Sequence, residues 1–171
     1  MKKQYPPIQE LQSLLKYDPE TGHIYWIAQG RGRIKKKEAG TQEINGYRGI
    51  LIKGKRIRSH IIAWALYNGK YPENQIDHIN GVKSDNRICN LREATNSQNG
   101  KNLPIKKNNT SGYPGVYFRC GKWRVQIKVD YQSISLGTYF NFNDAVEARK
   151  MAEVKYYGEW RHYKCKLQFL L

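Results

Sequence analysis

The sequence predicts an α+β protein made of two small modules. Hydrophobic residues form 39% of the 171 positions, which is enough for modest cores but too little for one large core. Strand-like alternation and helix-like spacing of apolar residues occur in both halves of the chain, and the polar, basic segment 101–112 lies between them. We therefore expect a first module at residues 1–100, a basic linker at residues 101–110 and a second module at residues 111–171.

The first module should combine short helices with strands and a hairpin. Apolar residues at three- and four-residue spacing predict its helices, and proline, glycine and asparagine mark its turns. Gly69 is expected to end the second helix. The predicted elements are, in chain order, a helix over residues 8–15, a turn at 18–22, a strand at 24–27, a hairpin at 46–58 and a helix over 60–67.

The second module should be a sheet of three short strands followed by one helix. Since alternate side chains of a strand point to opposite faces, one face of the sheet would pack on the helix. The strands are predicted at residues 116–118, 123–129 and 134–139, and the helix at 143–157. The packed face would carry Val116, Trp123, Val125, Ile127 and Leu136. The opposite face would carry Tyr117, Arg119, Arg124, Gln126, Lys128, Ser133 and Ser135.

The charge of the chain indicates a nucleic-acid partner. Its 30 lysine and arginine residues against 14 acidic residues give a net charge of +16, so we expect double-stranded DNA as partner and no small-molecule substrate. We expect no membrane partner, because the apolar run 61–66 is too short to span a bilayer and no long basic amphipathic helix is evident. No apolar signal region follows the basic N-terminus, which predicts a cytoplasmic protein.

The adjacent residues Asp77 and His78 carry groups suited to phosphodiester hydrolysis. That reaction needs a deprotonated water molecule, neutralisation of the charge that develops on the phosphate, and help for the leaving oxygen. A histidine suits the first task because its pKa lies near neutrality. A hard divalent cation suits the other two, and it prefers oxygen ligands such as Asp and Asn side chains.

The residues around this pair resemble the HNH endonuclease family, whose members carry a ββα-metal finger. The resemblance covers roughly residues 8–102, and its lead-in looks like that of phage-type HNH homing endonucleases. Asp rather than His stands at the first motif position, which departs from one common form of the family. The matching segments are Tyr17-Asp18-Pro19-Glu20-Thr21-Gly22, Gly46-Tyr47, His60-x-x-Ala63-Trp64, Ile76-Asp77-His78-Ile79-Asn80-Gly81, Asp85-Asn86-Arg87, Asn90-Leu91-Arg92 and Asn99.

The resemblance implies a role for each motif residue. Asp77 and Asn99 would bind one divalent metal ion, and His78 would be the general base. The expected ion is Mg²⁺, with Mn²⁺ as the alternative. Asn90 would hold the finger closed by hydrogen bonds to backbone near the histidine strand. Asp85-Asn86-Arg87 would form a turn that closes the hairpin and starts a helix, with Asn90 and Asn99 on different faces.

Residues 111–162 resemble the APETALA2-type DNA-binding domain, a three-stranded antiparallel sheet packed on one helix. By this resemblance the exposed sheet face would enter a DNA groove, where Arg and Gln read base edges and Lys and Ser hold phosphates. The matching residues are Ser111-Gly112, Gly115-Val116, Lys122-Trp123, Ile127, Leu136-Gly137-Thr138-Tyr139, Ala145, Ala148 and Tyr157-Gly158-Glu159.

Two hypotheses about function follow. The first is a sequence-directed, metal-dependent DNA endonuclease that acts as a monomer, in the host cytoplasm if a phage encodes it. The second is a non-catalytic DNA-binding regulator with a structural HNH finger. His60 is expected to be structural or to contact phosphate. Further DNA contacts are expected from Arg56, Arg58, Lys101, Lys106 and Lys107.

Overall fold

The protein folds into two compact units that divide between Ala94 and Thr95. The structure is a computed structural model that describes residues 5–27, 30, 37–102, 105 and 108–160. Helices and antiparallel strands occur in both units, which confirms the predicted α+β class. Within these ranges, no helix has the combination of length and apolar character that crossing a bilayer requires.

In its described residues, the first unit contains two helices and three small antiparallel sheets. Its elements are α1 (Ile8–Leu14), β1 (Leu15–Tyr17), β2 (Ile24–Trp26), β3 (Thr41–Gln42), β4 (Arg48–Ile52), β5 (Lys55–Arg58), α2 (Ser59–Asn68), β6 (Gln75–His78), a 3₁₀ turn (Ile88–Asn90) and β7 (Leu91–Ala94). β1 pairs with β2, β4 lies between β3 and β5, and β6 pairs with β7. The predicted helices and hairpin are thereby confirmed to within two residues at each end.

An apolar core joins α1 and α2 to the β4–β5 hairpin. Leu11 of α1, Ile62 and Ala63 of α2, and Ile50 and Ile52 of β4 are at most 1% exposed. Each large side chain buried in this way contributes roughly 1.5–3 kcal/mol to stability. This core fixes α2 against the hairpin, so that the two elements form a common support for the residues that follow.

The glycines predicted to end a strand or a helix have the positive φ angles that these positions require. In the β4–β5 turn, Lys53 and Gly54 both have positive φ, at 46° and 75°. Positive φ at both central residues is the geometry of the two-residue turns that match strand twist. Gly69 ends α2 with a φ of 68°, in the left-handed region.

The secondary structure after Asp85-Asn86-Arg87 differs from the prediction. We expected a helix to start here, but residues 88–90 form a single 3₁₀ turn and Leu91–Ala94 is the strand β7. This segment pairs with β6 from His78↔Leu91 to Gln75↔Ala94, and both Leu91 and Ala94 are buried. Leucine, arginine, glutamate and alanine favour helices by intrinsic propensity, so tertiary pairing overrides propensity here.

The second unit is built around a three-stranded antiparallel sheet with one long helix on it. Its elements are α3 (Asn96–Lys101), β8 (Val116–Arg119), β9 (Lys122–Val129), β10 (Gln132–Tyr139), α4 (Phe142–Tyr157) and a 3₁₀ turn (Gly158–Trp160). β9 is the central strand. Val116, Val125 and Ala145 are the buried core, with Trp123 and Leu136 packed against it, as the strand alternation predicted.

The short helix α3 groups with the second unit rather than with the first. Ser97 Oγ donates to Asp130 Oδ1 at 3.1 Å, and Lys101 Nζ donates to the Tyr156 carbonyl at 3.5 Å. Lys101 is thus the last residue of α3, in the unit that begins at Thr95. Lys106 and Lys107, also assigned to the linker, lie outside the described residues.

Candidate active site

β6 places Asp77 and His78 next to each other near its end, and both are buried. Asp77 is 6% exposed and His78 is 4% exposed. In the register with β7, Asp77 lies opposite Arg92 and His78 lies opposite Leu91. Neighbouring residues of a strand point to opposite faces, so the two side chains meet different surroundings.

The imidazole of His78 contacts both a polar group and other rings. Its Nε2 lies 3.2 Å from the side-chain oxygen of Asn86, which is also buried. The ring of His60 lies 5.0 Å away and nearly perpendicular. Burial lowers the pKa of His78 below its ordinary value of 6.5, although the Asn86 hydrogen bond and the charges of Asp77 and Asp85 act in the opposite direction. The lowered pKa keeps the ring neutral, which is the form a general base needs.

Tyr47 links the two histidines to positively charged side chains. Its ring centroid lies 5.3 Å from that of His60 and 6.0 Å from that of His78. The guanidinium of Arg58 lies 4.3 Å from the Tyr47 centroid, and Lys83 Nζ lies 4.9 Å from it. Two cations therefore lie beside the ring that contacts the candidate base, where they can attract a DNA phosphate.

The carboxylate of Asp77 forms a buried ion pair across the β6–β7 ribbon. Arg92 donates from Nε and Nη2 to Asp77 Oδ2, at 2.9 and 2.8 Å. The two side chains are only 15% and 7% exposed. Breaking such a pair by removing one partner typically costs about 3–5 kcal/mol, so Arg92 holds the Asp77 carboxylate in place.

The donor chemistry at Asp77 fits a hard divalent cation. In the described parts of the chain, no three His, Cys, Asp or Glu side chains come together. An ion would therefore depend on the Asp77 carboxylate together with amide or water oxygens, a set that Mg²⁺ accepts. Because Arg92 is bound to Oδ2, the cation would have to share the carboxylate with this guanidinium or replace it.

Asn90 closes the loop between β6 and β7. Its Oδ1 accepts the backbone N–H of Asn80 at 2.9 Å, and its Nδ2 donates to the carbonyl of Asp85 at 2.8 Å. The backbone N–H of Ile79 also donates to the carbonyl of Asn90, at 2.9 Å. These are bonds to backbone next to the histidine strand. They are made from the 3₁₀ turn rather than from a helix.

Asn99 lies on α3, in the second unit. Its backbone N–H donates to the carbonyl of Thr95 at 2.9 Å. Thr95 caps the helix, and Gln98 completes a capping box with it. These contacts account for the helix in a sequence of modest propensity, because capping satisfies its first N–H groups. The metal-binding role of Asn99 stays a prediction.

The residues predicted to read DNA share one exposed face of the second unit's sheet. Cross-strand pairing places Arg124 beside Tyr117, Gln126 beside Ser135, and Lys128 beside Ser133. All seven predicted residues of this face are exposed, and they are Tyr117, Arg119, Arg124, Gln126, Lys128, Ser133 and Ser135. The face is thus continuous and carries positive charge.

The predicted basic contacts outside this sheet have different surroundings. Arg56 is exposed but pairs with Glu43 at 3.2 Å and donates to the Thr41 hydroxyl, so its charge is partly neutralised. Arg58 is exposed and lies over Tyr47. Lys101 is partly buried, near the end of α4.

Sequence reasoning missed three contributors to the site. Asn86 and Arg92 were quoted only as motif positions, and Tyr47 only as part of the lead-in. The Asp77–Arg92 contact follows from strand register, so predicting β7 would have revealed it. The His78–Asn86 contact joins residues eight positions apart through an irregular loop, for which the sequence pattern gives no signal.

Comparisons with known proteins agree with the motif. Residues 58–101 match the family model of the HNH endonucleases. Over 60 residues the chain is 40% identical to Protein 3.8 of Escherichia phage T7, covering 34% of this chain and 50% of that protein. The chain thus spans about half the length of this curated relative. No solved structure matches significantly.

Proposed function

We propose that this protein is a metal-dependent DNA endonuclease in which His78 is the general base. Asp77 and Asn99 would bind one divalent ion, Mg²⁺ or Mn²⁺. The observation that carries the proposal is the buried Asp77-His78 pair at the end of β6, within the segment that matches the HNH family. An acidic oxygen ligand next to a neutral imidazole is the minimum needed to activate water against a phosphodiester.

In the proposed reaction, His78 takes the proton of the attacking water. The water oxygen forms the new bond to phosphorus, and the bond from phosphorus to the leaving oxygen breaks. Burial supports this role because it lowers the pKa of His78 and keeps the imidazole neutral. A divalent ion, when bound, would neutralise charge on the phosphate and leaving oxygens. Asp77 would hold that ion, and the Asn90 bonds would keep the histidine strand and its loop in place.

The cations around Tyr47 would bind the DNA backbone next to the scissile bond. Arg58 and Lys83 both lie within 5 Å of the Tyr47 ring centroid. Cations held against a ring lose less conformational freedom on binding a phosphate than freely moving side chains do. The same tyrosine contacts His60 and His78, so a phosphate at these cations would lie close to the candidate base.

The second unit would supply the sequence preference. The exposed face of its three-stranded sheet carries arginine, glutamine and lysine side chains in alternation along β9. Arginine and glutamine can pair bidentately with base edges in the major groove, and lysine can hold phosphates. We propose that the protein acts as a monomer and, if a phage encodes it, in the host cytoplasm.

One observation favours a second candidate function, a DNA-binding protein without catalysis. Arg92 occupies Oδ2 of Asp77, which is the group that would have to bind the metal. If the guanidinium never leaves, the finger would be purely structural. The match to a family of nucleases and the presence of Asp77, His78, Asn90 and Asn99 together favour the endonuclease.

Incubation with supercoiled plasmid tests the proposal. The full chain should convert the plasmid to nicked or linear product with Mg²⁺, and EDTA should stop the conversion. Binding to the plasmid should persist in EDTA, because the net charge of +16 does not depend on a metal. Binding without any cleavage in Mg²⁺ or Mn²⁺ would favour the non-catalytic alternative.

A further inference from the structure

The lead-in turn of residues 17–22 has no part in the proposed chemistry, yet it packs against the segment that carries Asn86. The hydroxyl of Tyr17 donates to the main-chain carbonyl of Asn86 at 2.7 Å. The backbone N–H of Ile88 donates to the carbonyl of Pro19 at 3.1 Å. Two hydrogen bonds therefore join this turn to the backbone at residues 86 and 88.

Gly22 allows this close approach. A side chain there would place its Cβ 2.5 Å from the backbone nitrogen of Arg87 and 2.7 Å from the carbonyl carbon of Asn86. Its φ of 77° is also a conformation that favours glycine. The turn and the Asn86 segment can therefore only pack in this way with glycine at position 22.

The other side of Asn86 is fixed as well. The carbonyl of the preceding residue, Asp85, accepts from Asn90 Nδ2 at 2.8 Å. The carboxylate of Asp85 binds Asn80 at 2.7 Å and Arg87 at 2.6 Å. The backbone on both sides of Asn86 is thus anchored, and its buried side chain has a fixed position next to His78.

The contact between Asn86 and His78 has a chemical consequence. The Asn86 atom that faces His78 Nε2, at 3.2 Å, is the amide oxygen, which can only accept a hydrogen bond. A neutral imidazole that donates from Nε2 keeps its lone pair on Nδ1. Which nitrogen is basic in a histidine is set by the hydrogen bond that the other nitrogen makes.

We propose that Asn86 is the positioning residue of His78 and that the lead-in turn, through Tyr17 and Gly22, exists to hold it. Asn86 selects the tautomer with the proton on Nε2, which leaves Nδ1 as the basic nitrogen of the ring. This inference rests on the proposed function of His78 as general base. It also gives a role to a sequence motif 56 to 61 residues away from that base.

The test measures the tautomer of His78 in the intact, metal-free protein at a pH above 7.5, where the ring is neutral. Long-range ¹H–¹⁵N spectra show which ring nitrogen carries the proton, and the signal that disappears in His78→Gln assigns the residue. In the wild type the proton should be on Nε2. In Asn86→Leu, which has similar volume and no acceptor, the His78 signals should shift to a mixture of tautomers, and kcat should fall roughly 10–100-fold at unchanged KM.

Asn86→Asp keeps an acceptor at this position, so it should retain the Nε2–H tautomer and serves as the test if Asn86→Leu does not fold. Tyr17→Phe should give a smaller change in the same direction. Tyr71→Phe is the matched control, because the Tyr71 hydroxyl donates to a main-chain carbonyl, that of Pro6, at 2.8 Å. It should cost similar stability and leave the His78 signals and cleavage unchanged.

A proton on Nδ1 in the wild type, a wild-type tautomer in Asn86→Leu, or a loss of the Nε2–H tautomer in Asn86→Asp would overturn the inference. A loss of cleavage in Asn86→Leu matched by an equal loss in Tyr71→Phe would overturn it too, because the effect would then be one of stability. A correct tautomer that depends on Asn86, in a wild type that never cleaves DNA, would instead contradict the proposed function.

Discussion

Burial has two opposite consequences for the neighbouring residues Asp77 and His78. The imidazole of His78 stays neutral because its surroundings disfavour charge. The carboxylate of Asp77 is buried to a similar degree but lies against the guanidinium of Arg92, which stabilises its negative charge. One strand thus presents a neutral imidazole and a carboxylate side by side, because the guanidinium of Arg92 lies opposite Asp77 and not opposite His78.

The lowered pKa of His78 predicts activity at mildly acidic pH. Because the neutral imidazole persists below pH 6.5, kcat/KM should fall only as the pH drops through the lowered pKa of the free protein. The same shift makes folding pH-dependent, since the unfolded chain binds the proton more tightly. The stability that neutral His78 contributes is present above pH 6.5 and is lost as the pH falls towards the folded pKa. Cleavage rates from pH 5 to 8 measure the first effect, and melting temperatures of wild type and His78→Gln over the same range measure the second. A midpoint of kcat/KM above pH 6.5 would contradict a His78 pKa lowered by burial.

Arg92 can be tested as a competitor of the metal at Asp77. In Arg92→Gln the buried carboxylate loses its guanidinium, so the metal-free protein should be destabilised by about 3 kcal/mol or more. A bound cation would replace the lost charge, so Mg²⁺ should raise the melting temperature further than in the wild type.

Arg149→Gln is the control for this experiment. It breaks an ion pair that is buried even more deeply, with Glu153 at 2.9 Å, in the second unit. This variant should lose stability without any change in its response to Mg²⁺. An equal response of Arg92→Gln and Arg149→Gln to the ion would show that Asp77 is not a metal ligand.

At the scale of elements, the predictions held where apolar periodicity decides the structure. The helix α2 and the β4–β5 hairpin follow from their spacing and their glycines, and β8, β9 and β10 follow from alternation around Val125 and Ile127. β7 was missed because the preference of Leu91–Ala94 for strand comes from pairing with β6, which no local pattern shows. The motif indicates which residues form the candidate site. The contacts of Asn86 and Arg92 depend instead on the pairing of β6 with β7 and on the loop between these strands.

The strand β9 should divide its side chains between base reading and backbone binding. Arg124→Ala should relax the preference for a selected DNA site, by ~1–3 kcal/mol if the guanidinium pairs with a guanine. Lys128→Ala should weaken binding to all DNA sequences about equally. It should also reduce the slope of log affinity against log salt concentration by roughly one. The readout is binding of each variant to a selected site and to random duplex at several salt concentrations.

Lys155→Ala removes the same charge from an exposed position of α4, the helix that packs on the other face of the sheet. It should leave both the affinity and the sequence preference close to those of the wild type. Equal selectivity of the wild type and Arg124→Ala would assign sequence preference to a surface other than this face.

Across the whole molecule, affinity and chemistry should depend on different groups. The net charge of +16 is spread over the chain, so one substitution changes DNA affinity by only a small part. Cleavage, by contrast, should depend on a single imidazole, that of His78. One substitution should therefore separate DNA binding from DNA cleavage.

The most direct measurement compares His78→Ala with His23→Ala on the same plasmid. His23 belongs to the same unit but is 48% exposed at its side chain and pairs only with Glu38 among its described ion pairs, so it controls for loss of a histidine. His78→Ala should lower the single-turnover cleavage rate ~10²–10⁴-fold, the range for loss of a general base, with DNA affinity within a few-fold of the wild type. His23→Ala should cut at the wild-type rate. Wild-type cleavage by His78→Ala across pH 5 to 8 would contradict the account.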